Sequence, residues 1–350
     1  MKSWKSAATS WTQTWTALAI LGIGAGLGTS VSAQDFYTGQ TLRIVVGFSA
    51  GGGFDSYARV IGRHIPKHIP GSPTVLVENL TGAGSLLAAN HVYKVAKPDG
   101  LTMGHFIGGF FLGQVLGQPG IEFDARKFEF VGAPVTEDVV CAMTKASGIT
   151  NMDKWLASKT PVKLGGTATG AYAPDNLIRI LKSTLGLPIQ LVSGYKGTAD
   201  IRLASESGEL HGSCWSWDSI KSTWRKSLDD GGAVPVLRAV SAEFPDLPGV
   251  PTAMSLAKTQ EARQLIEVGI DDGSKYARPF VLPPGTPKER VAILRKAFQE
   301  TLKDPAFLAE LEKAKLGLEP VRGEELEAMV SRLFKLSPAL IAKLKSILYG

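Results

Sequence analysis

Short β-branched runs alternate along the chain with segments whose apolar positions recur every three to four residues. LRIVVGF (42–48) predicts a strand, and DSYARVIGRHI (55–65) a helix with Tyr57, Val60 and Ile61 on one side. PTVLVENL (73–80) and GSLLAANHVYKVA (84–96) repeat the pair, and LTMGHFIGG (101–109) predicts a third strand with a glycine-rich end. Strand, helix, strand, helix, strand in this rhythm predicts a parallel sheet with right-handed crossovers. Ligands of such sheets bind beyond the carboxyl ends of the strands. SAGGGFD (49–55), TGAGS (81–85) and HFIGGF (105–110) all fall at those ends and are expected to converge there.

The rhythm restarts near Val131. VGAPVTEDVVCAMTKAS (131–147), VKLGGTATGAYAPDNLIRILKSTLG (162–186), IQLVSGYKGTADIRLASESGEL (189–210) and HGSCWSWDS (211–219) predict a second α/β unit, closed by VPVLRAVS (234–241). A Pro-studded connector, FPDLPGVPTAMSL (244–256), follows. YARPFVLPPGTP (276–287) then leads the chain back, and three amphipathic helices are expected over 288–302, 305–315 and 323–348. The expected division is 34–132 for the first lobe, 133–248 for the second, and 249–350 returning to the first. Glycine-rich turns facing one another across two lobes describe a hinged α/β binding protein.

The chain of 350 residues opens with a different pattern. Lys2 and Lys5 precede an apolar, Gly-rich run (17–27), and Val31-Ser32-Ala33 places small residues where a signal peptidase cuts. The run is shorter than the roughly 20 apolar residues a membrane span needs. Residues 1–33 are therefore expected to be a cleaved leader and the protein to be periplasmic, starting at Gln34. Loss of the leader lowers the net charge from +6 to +4, and the remaining basic residues are scattered. A nucleic-acid groove would cluster them, so no nucleic-acid partner is expected. No ligand spacing for a metal and no cofactor motif occurs; Pro66 interrupts the His64/His68 pair. Cys141 and Cys214 either pair, as export permits, or stay as two buried thiols.

Gly47-Phe48-Ser49-Ala50-Gly51 spells G-x-S-x-G between a strand and a helix, the setting of a hydrolase nucleophile. The remaining apparatus does not follow. No histidine lies beyond His211, and neither a strand earlier than 42–48 nor an HGGG-like oxyanion segment precedes the motif. The same loop reads as an anion cradle. A helix starting near Phe54 presents free N–H groups, and Gly51, Gly52 and Gly53 let the main chain approach a ligand closely. Asp55 either serves that cradle or caps the helix. The glycines lack the G-K-[ST] of a phosphate loop, which leaves a carboxylate as the natural anion. At roughly 1.5–3 kcal/mol per charge-assisted contact, a few donors suffice without any buried arginine.

These residues carry a resemblance. RIVVGFSAGGGFDSYAR is similar to the first strand, P-F-x-P-G-G-x-x-D loop and helix of the Bug-type periplasmic receptors of tripartite tricarboxylate transporters. VLVENLTGAGSLLAANHVYKVAKPDGLTMG resembles that family's V-V-E-N-x-x-G-A-G-G and A-x-P-D-G-Y-T-L segments, and GYKGTADIRLASESGEL its Y-K-G stretch. PDLPGVPTAMSL and VLPPGTPKERVAILRKAF resemble its P-D-V-P-T and A-P-x-G-T-P motifs. The resemblance implies a two-lobed type II periplasmic-binding-protein fold, α/β in class, whose hinged lobes close around a ligand cleft.

It also implies a non-catalytic receptor, acting as a monomer, that carries a small organic carboxylate to membrane transporter subunits. Presenting the ligand to a sensor kinase would use the same cleft, and a secreted serine esterase built on Ser49 is the rival reading. Carried over by position, Phe48, Ser49, Ala50, Gly51, Gly52, Gly53 and Asp55 hold one carboxylate, with Gly166, Thr167, Thr169 and Gly170 completing that end. Gly84, Phe106, Tyr195 and Trp215 form the cleft wall. Ser49 stands where the family usually has proline, GAYAPDNL replaces a T-H-L-type sequence, and Trp215 falls near a usual aspartate whose role could move to Asp218. Phe48, Phe54, Phe106, Trp215 and Trp217 could make the distal pocket aromatic or simply belong to the core.

Overall fold

The structure is a computed structural model that describes residues 36–168, 172–241 and 245–350. The expected leader, Thr169 and Gly170 lie outside the described residues.

Two sheets organise the chain. β1 (Thr41–Val46) lies between β2 (Thr74–Asn79) and β3 (Thr102–His105), parallel to both. The sheet is mixed rather than purely parallel. β10 (Phe280–Leu282) pairs antiparallel with β3 and with β4 (Glu129–Ala133), and β11 (Val321–Arg322) completes the edge. The second sheet runs β7 (Ile189–Val192), β6 (Val162–Gly165), β8 (Gly212–Ser216), β5 (Val139–Thr144), β9 (Ala233–Arg238). β5 reads as a near-continuous apolar run, and every position of β5 and β8 is buried.

The chain crosses between the sheets at 134–138, from β4 to β5, and again just before β10. The crossings are bonded together, with the Glu137 N–H donating to the Ser274 carbonyl at 2.9 Å. Cys141 and Cys214 face each other in register on β5 and β8 and form a disulfide, which settles the pairing left open above.

α1 (Gly53–His64) follows β1 with Phe54, Tyr57, Val60 and Ile61 buried. Two departures from the expected pattern concern the later chain. The end of the connector and the segment after it form helices Ala253–Leu256 and Gln260–Ile266, both packed against the second-lobe helix Leu177–Leu185. The single helix expected over 323–348 is two, Gly323–Leu333 and Pro338–Tyr349. Ser337 caps the second through the Leu340 N–H and Pro338 occupies its first turn, where a missing N–H costs nothing. This last helix spans the lobes: it packs on Leu177–Leu185, and Tyr349 reaches Gln118 at 3.1 Å.

Candidate ligand cleft

The two carboxyl edges meet across a narrow cavity of about 20 Å³, room for roughly one water. The lobes therefore stand nearly shut, and a larger solute enters only when they part. From the first lobe the lining takes Phe48, Gly52, Gly53, Phe54 and Ile107; from the second, Thr167, Ala173, Pro174, Thr198, Trp215, Ser216 and Ser219. Glu137 and Arg278 line it from the two crossing segments.

Gly53 shows why glycine occupies the start of α1. A Cβ there would fall 2.0 Å from Ser219 Oγ and 3.2 Å from Arg278 Nη1, so a side chain would have to displace the Ser219 hydroxyl of the opposite lobe. Gly52 stands similarly close to Thr198, 3.3 Å from its Oγ1. No side chain caps this helix, whose N-terminus faces the cavity through these glycines.

Other expected site residues serve the loop rather than the cavity. Asp55 is buried and accepts from Gly51 N–H, Arg59 Nε and Asn79 Nδ2, each at 2.9 Å. Burial pushes its carboxyl up, but these hydrogen bonds outweigh it and hold the group below the ordinary aspartate value. Gly51 and Ala50 are exposed, Gly51 in the left-handed region at φ 81°. The Ser49 hydroxyl donates to Asp200 Oδ2 on the opposite lobe at 3.1 Å and does not line the cavity.

Thr167 is buried, and its N–H donates to Asp175 Oδ2 at 2.5 Å. Gly166 packs behind it, where a Cβ would come 2.6 Å from Asp175 Oδ1. Gly84 sits in the turn Ala83–Ser85, away from the cavity lining; its neighbour Ser85 accepts from the Ile107 N–H. Phe106 is a core residue packed on Phe111 and Phe128, so the cavity is met by Ile107 instead. Tyr195 bonds Glu209 outside the lining. Trp215 does line the cavity, stacked at a tilt on Trp224 with its Nε1 unpartnered.

Two charged residues of the lining, Arg278 and Glu137, carried no expectation from the sequence. Arg278 is 1 % exposed; its Nε donates to Glu137 Oε1 at 2.7 Å and its Nη2 to Ser219 Oγ at 2.8 Å. The guanidinium lies over the ring of Phe54, 4.5 Å from its centroid, and near that of Tyr57. Arg278 Nη1 and Glu137 Oε2 have no partner. The cradle was expected to suffice without a buried arginine; the structure places one beside it. The move of the acid to Asp218 is corrected: that carboxylate accepts from Tyr57 and the Gly317 N–H and is not among the lining residues. The one available signal was a lone charge in an apolar run, Tyr276-Ala277-Arg278-Pro279-Phe280-Val281.

Residues 58–344 match the tripartite tricarboxylate transporter family receptor profile. An Agrobacterium vitis protein from the ttuE–ttuC' intergenic region is 28 % identical over 325 residues, covering 90 % of this chain and 86 % of its own. A Cupriavidus necator protein from the gbd 5' region is 24 % identical, covering 94 % of each. Among solved structures, the periplasmic binding protein BugD superposes with a TM-score of 0.70 at 22 % identity, over 89 % of this chain and 98 % of its own. MatC from Rhodopseudomonas palustris, solved with bound malate, gives 0.67 at 21 % identity, over 88 % and 99 %. Another R. palustris protein, solved with adipate, gives 0.68 at 22 % identity, over 88 % and 97 %. These structural likenesses establish the two-lobed periplasmic-binding-protein fold. With the profile spanning most of its length, the chain belongs to the tripartite tricarboxylate transporter receptor family.

Proposed function

We propose that this protein is an exported, non-catalytic receptor that closes its lobes on a small organic carboxylate and presents it to the membrane subunits of a tripartite transporter. The observation that carries this reading is the pairing, in one cavity, of an uncapped helix N-terminus at Gly53 with an unpartnered buried arginine nitrogen, Arg278 Nη1. Both favour an anion. Structural relatives solved with malate and with adipate support the ligand class. The leader pattern of residues 1–33 supports export. In this reading residues 34–132 and 133–248 form the bulk of the two lobes, and 249–350 contributes to both.

The Ser49 hydroxyl faces an aspartate rather than a histidine, which supports binding over hydrolysis. The test is a thermal-shift series over mono-, di- and tricarboxylates with neutral controls. A ligand at 100 times its dissociation constant stabilises the native state by about 2.7 kcal/mol, well within reach of a melting curve. A shift confined to acids supports the reading. A folded protein that no acid shifts, or one whose ester hydrolysis disappears in Ser49→Ala, overturns it.

A further inference from the structure

The cavity carries a recognition pattern of its own. Glu137 and Arg278 come from the two segments that cross between the lobes, and both line the cavity. Each is almost fully buried, at 3 % and 1 % exposed. Their mutual bond uses Glu137 Oε1 and Arg278 Nε, and Ser219 takes Nη2. What remains is one charged donor, Nη1, and one charged acceptor, Oε2. A further donor, Trp215 Nε1, is unpartnered on the same lining. Buried polar groups of this kind are costly unless something bonds them.

Charge narrows the ligand further. The lining side chains hold one cation, Arg278, and one anion, Glu137, which neutralise each other. Beyond that pair what is left over is the partial positive charge of helix N-termini, that of α1 at Gly53 and that of the helix Thr198–Glu206, whose first residue also lines the cavity. One ligand carboxylate has a side-chain cation to meet; a second would find none among the described lining residues. Phe48, Phe54, Ile107, Ala173, Pro174 and Trp215 give the wall its apolar part, beside four hydroxyl-bearing side chains.

Resting on the receptor reading above, we infer that the preferred solute is a monocarboxylic acid with an apolar body and a hydrogen-bond donor next to its carboxylate, a 2-hydroxy or 2-amino acid. The carboxylate meets Arg278 Nη1 at the start of α1, the neighbouring hydroxyl or ammonium donates to Glu137 Oε2, and the body packs on the aromatic wall. The Arg278–Glu137 pair acts as the specificity element.

Four acids of six carbons separate the possibilities by calorimetry on the purified protein: 2-hydroxy-4-methylpentanoate, leucine, 4-methylpentanoate and adipate. One of the first two is expected to bind at least about 10-fold more tightly than the last two, the size of one charged hydrogen bond. Whichever of the two wins identifies the donor. Adipate binding tightest would overturn this inference while leaving the receptor reading intact. Binding by none of the four would also overturn it, and the wider thermal-shift series would then decide the receptor reading separately.

Replacing the pair together, Arg278→Met with Glu137→Met, strands no buried ion. It is expected to erase the preference over 4-methylpentanoate; an unchanged ratio would assign the pair a purely structural role. Should that variant fail to fold, Glu137→Gln leaves Arg278 unneutralised and is expected to shift the ratio toward adipate. An unmoved ratio there also counts against the inference.

Discussion

Ser49 and Asp200, 151 residues apart in sequence, share a hydrogen bond of 3.1 Å that spans the gap between the two lobes. The serine of a hydrolase-like motif thus acts as a latch rather than facing a general base. Gly197, at the start of the helix that carries Asp200, makes room for it: a Cβ there would fall 2.6 Å from Ser49 Oγ. Because the bond joins the lobes, Ser49→Ala and Asp200→Ala are each expected to weaken ligand binding by no more than about 10-fold, the scale of one hydrogen bond. The double variant should lose little more than either single one. Calorimetry on all four proteins closes this cycle, and fully additive losses would show that the latch does not matter.

Gly53 lies directly against Ser219 of the opposite lobe. Gly53→Ala places a methyl group 2.0 Å from Ser219 Oγ. The expected outcome is at least a 10-fold loss of ligand affinity, about 1.4 kcal/mol, with little change in the melting temperature of the unliganded protein. Ser219→Gly in the same chain removes the opposing atoms and should recover part of the affinity. A single variant that binds normally would mean that the contact yields.

The disulfide holds the centre of the second sheet by joining β5 to β8 across 73 residues. Replacing both cysteines by alanine is expected to cost about 2–4 kcal/mol of stability. Denaturant titration of the oxidised protein and the variant measures the difference directly. Ligand selectivity should not move, because neither cysteine is among the residues that line the cavity.

Asp138 gives the protein a defined pH response. Burial first, then the Glu319 and Asp218 carboxylates, push its pKa up to about 7, with Lys221 opposing and Asp246 adding to the rise. The folded chain therefore holds this proton more tightly than the unfolded chain, whose aspartate titrates near its ordinary value of 3.8. Stability contributed by the group is present at low pH and lost as pH rises between about 4 and 7. The substitution Asp138→Asn mimics the protonated form. Melting curves of this variant and the parent should diverge at pH 8, with the variant more stable, and converge near pH 4. Parallel curves across that range would show that the carboxyl titrates alike in both states.

Local pattern was enough to place the first three strands, the helices between them and the glycine-rich turns at their ends. Those features depend on periodicity and on φ angles that few residues adopt, both readable within a dozen positions. The break at Ser337-Pro338 was also written there, as an N-cap followed by proline, although the apolar stripe running through it predicted one helix. Tertiary structure alone decided which glycine-rich segments reach the cavity. The turns bearing Gly52 and Ile107 do, while the one bearing Gly84 turns to brace Gly47, where a Cβ would overlap Ser85. It also decided the chemistry of the site. Arg278 meets Glu137 across 141 residues, and Cys141 meets Cys214 through strand register. Such pairings arise when two crossing segments and two sheets are brought together, and a buried charge becomes distinguishable from a surface one only after the surrounding core has formed.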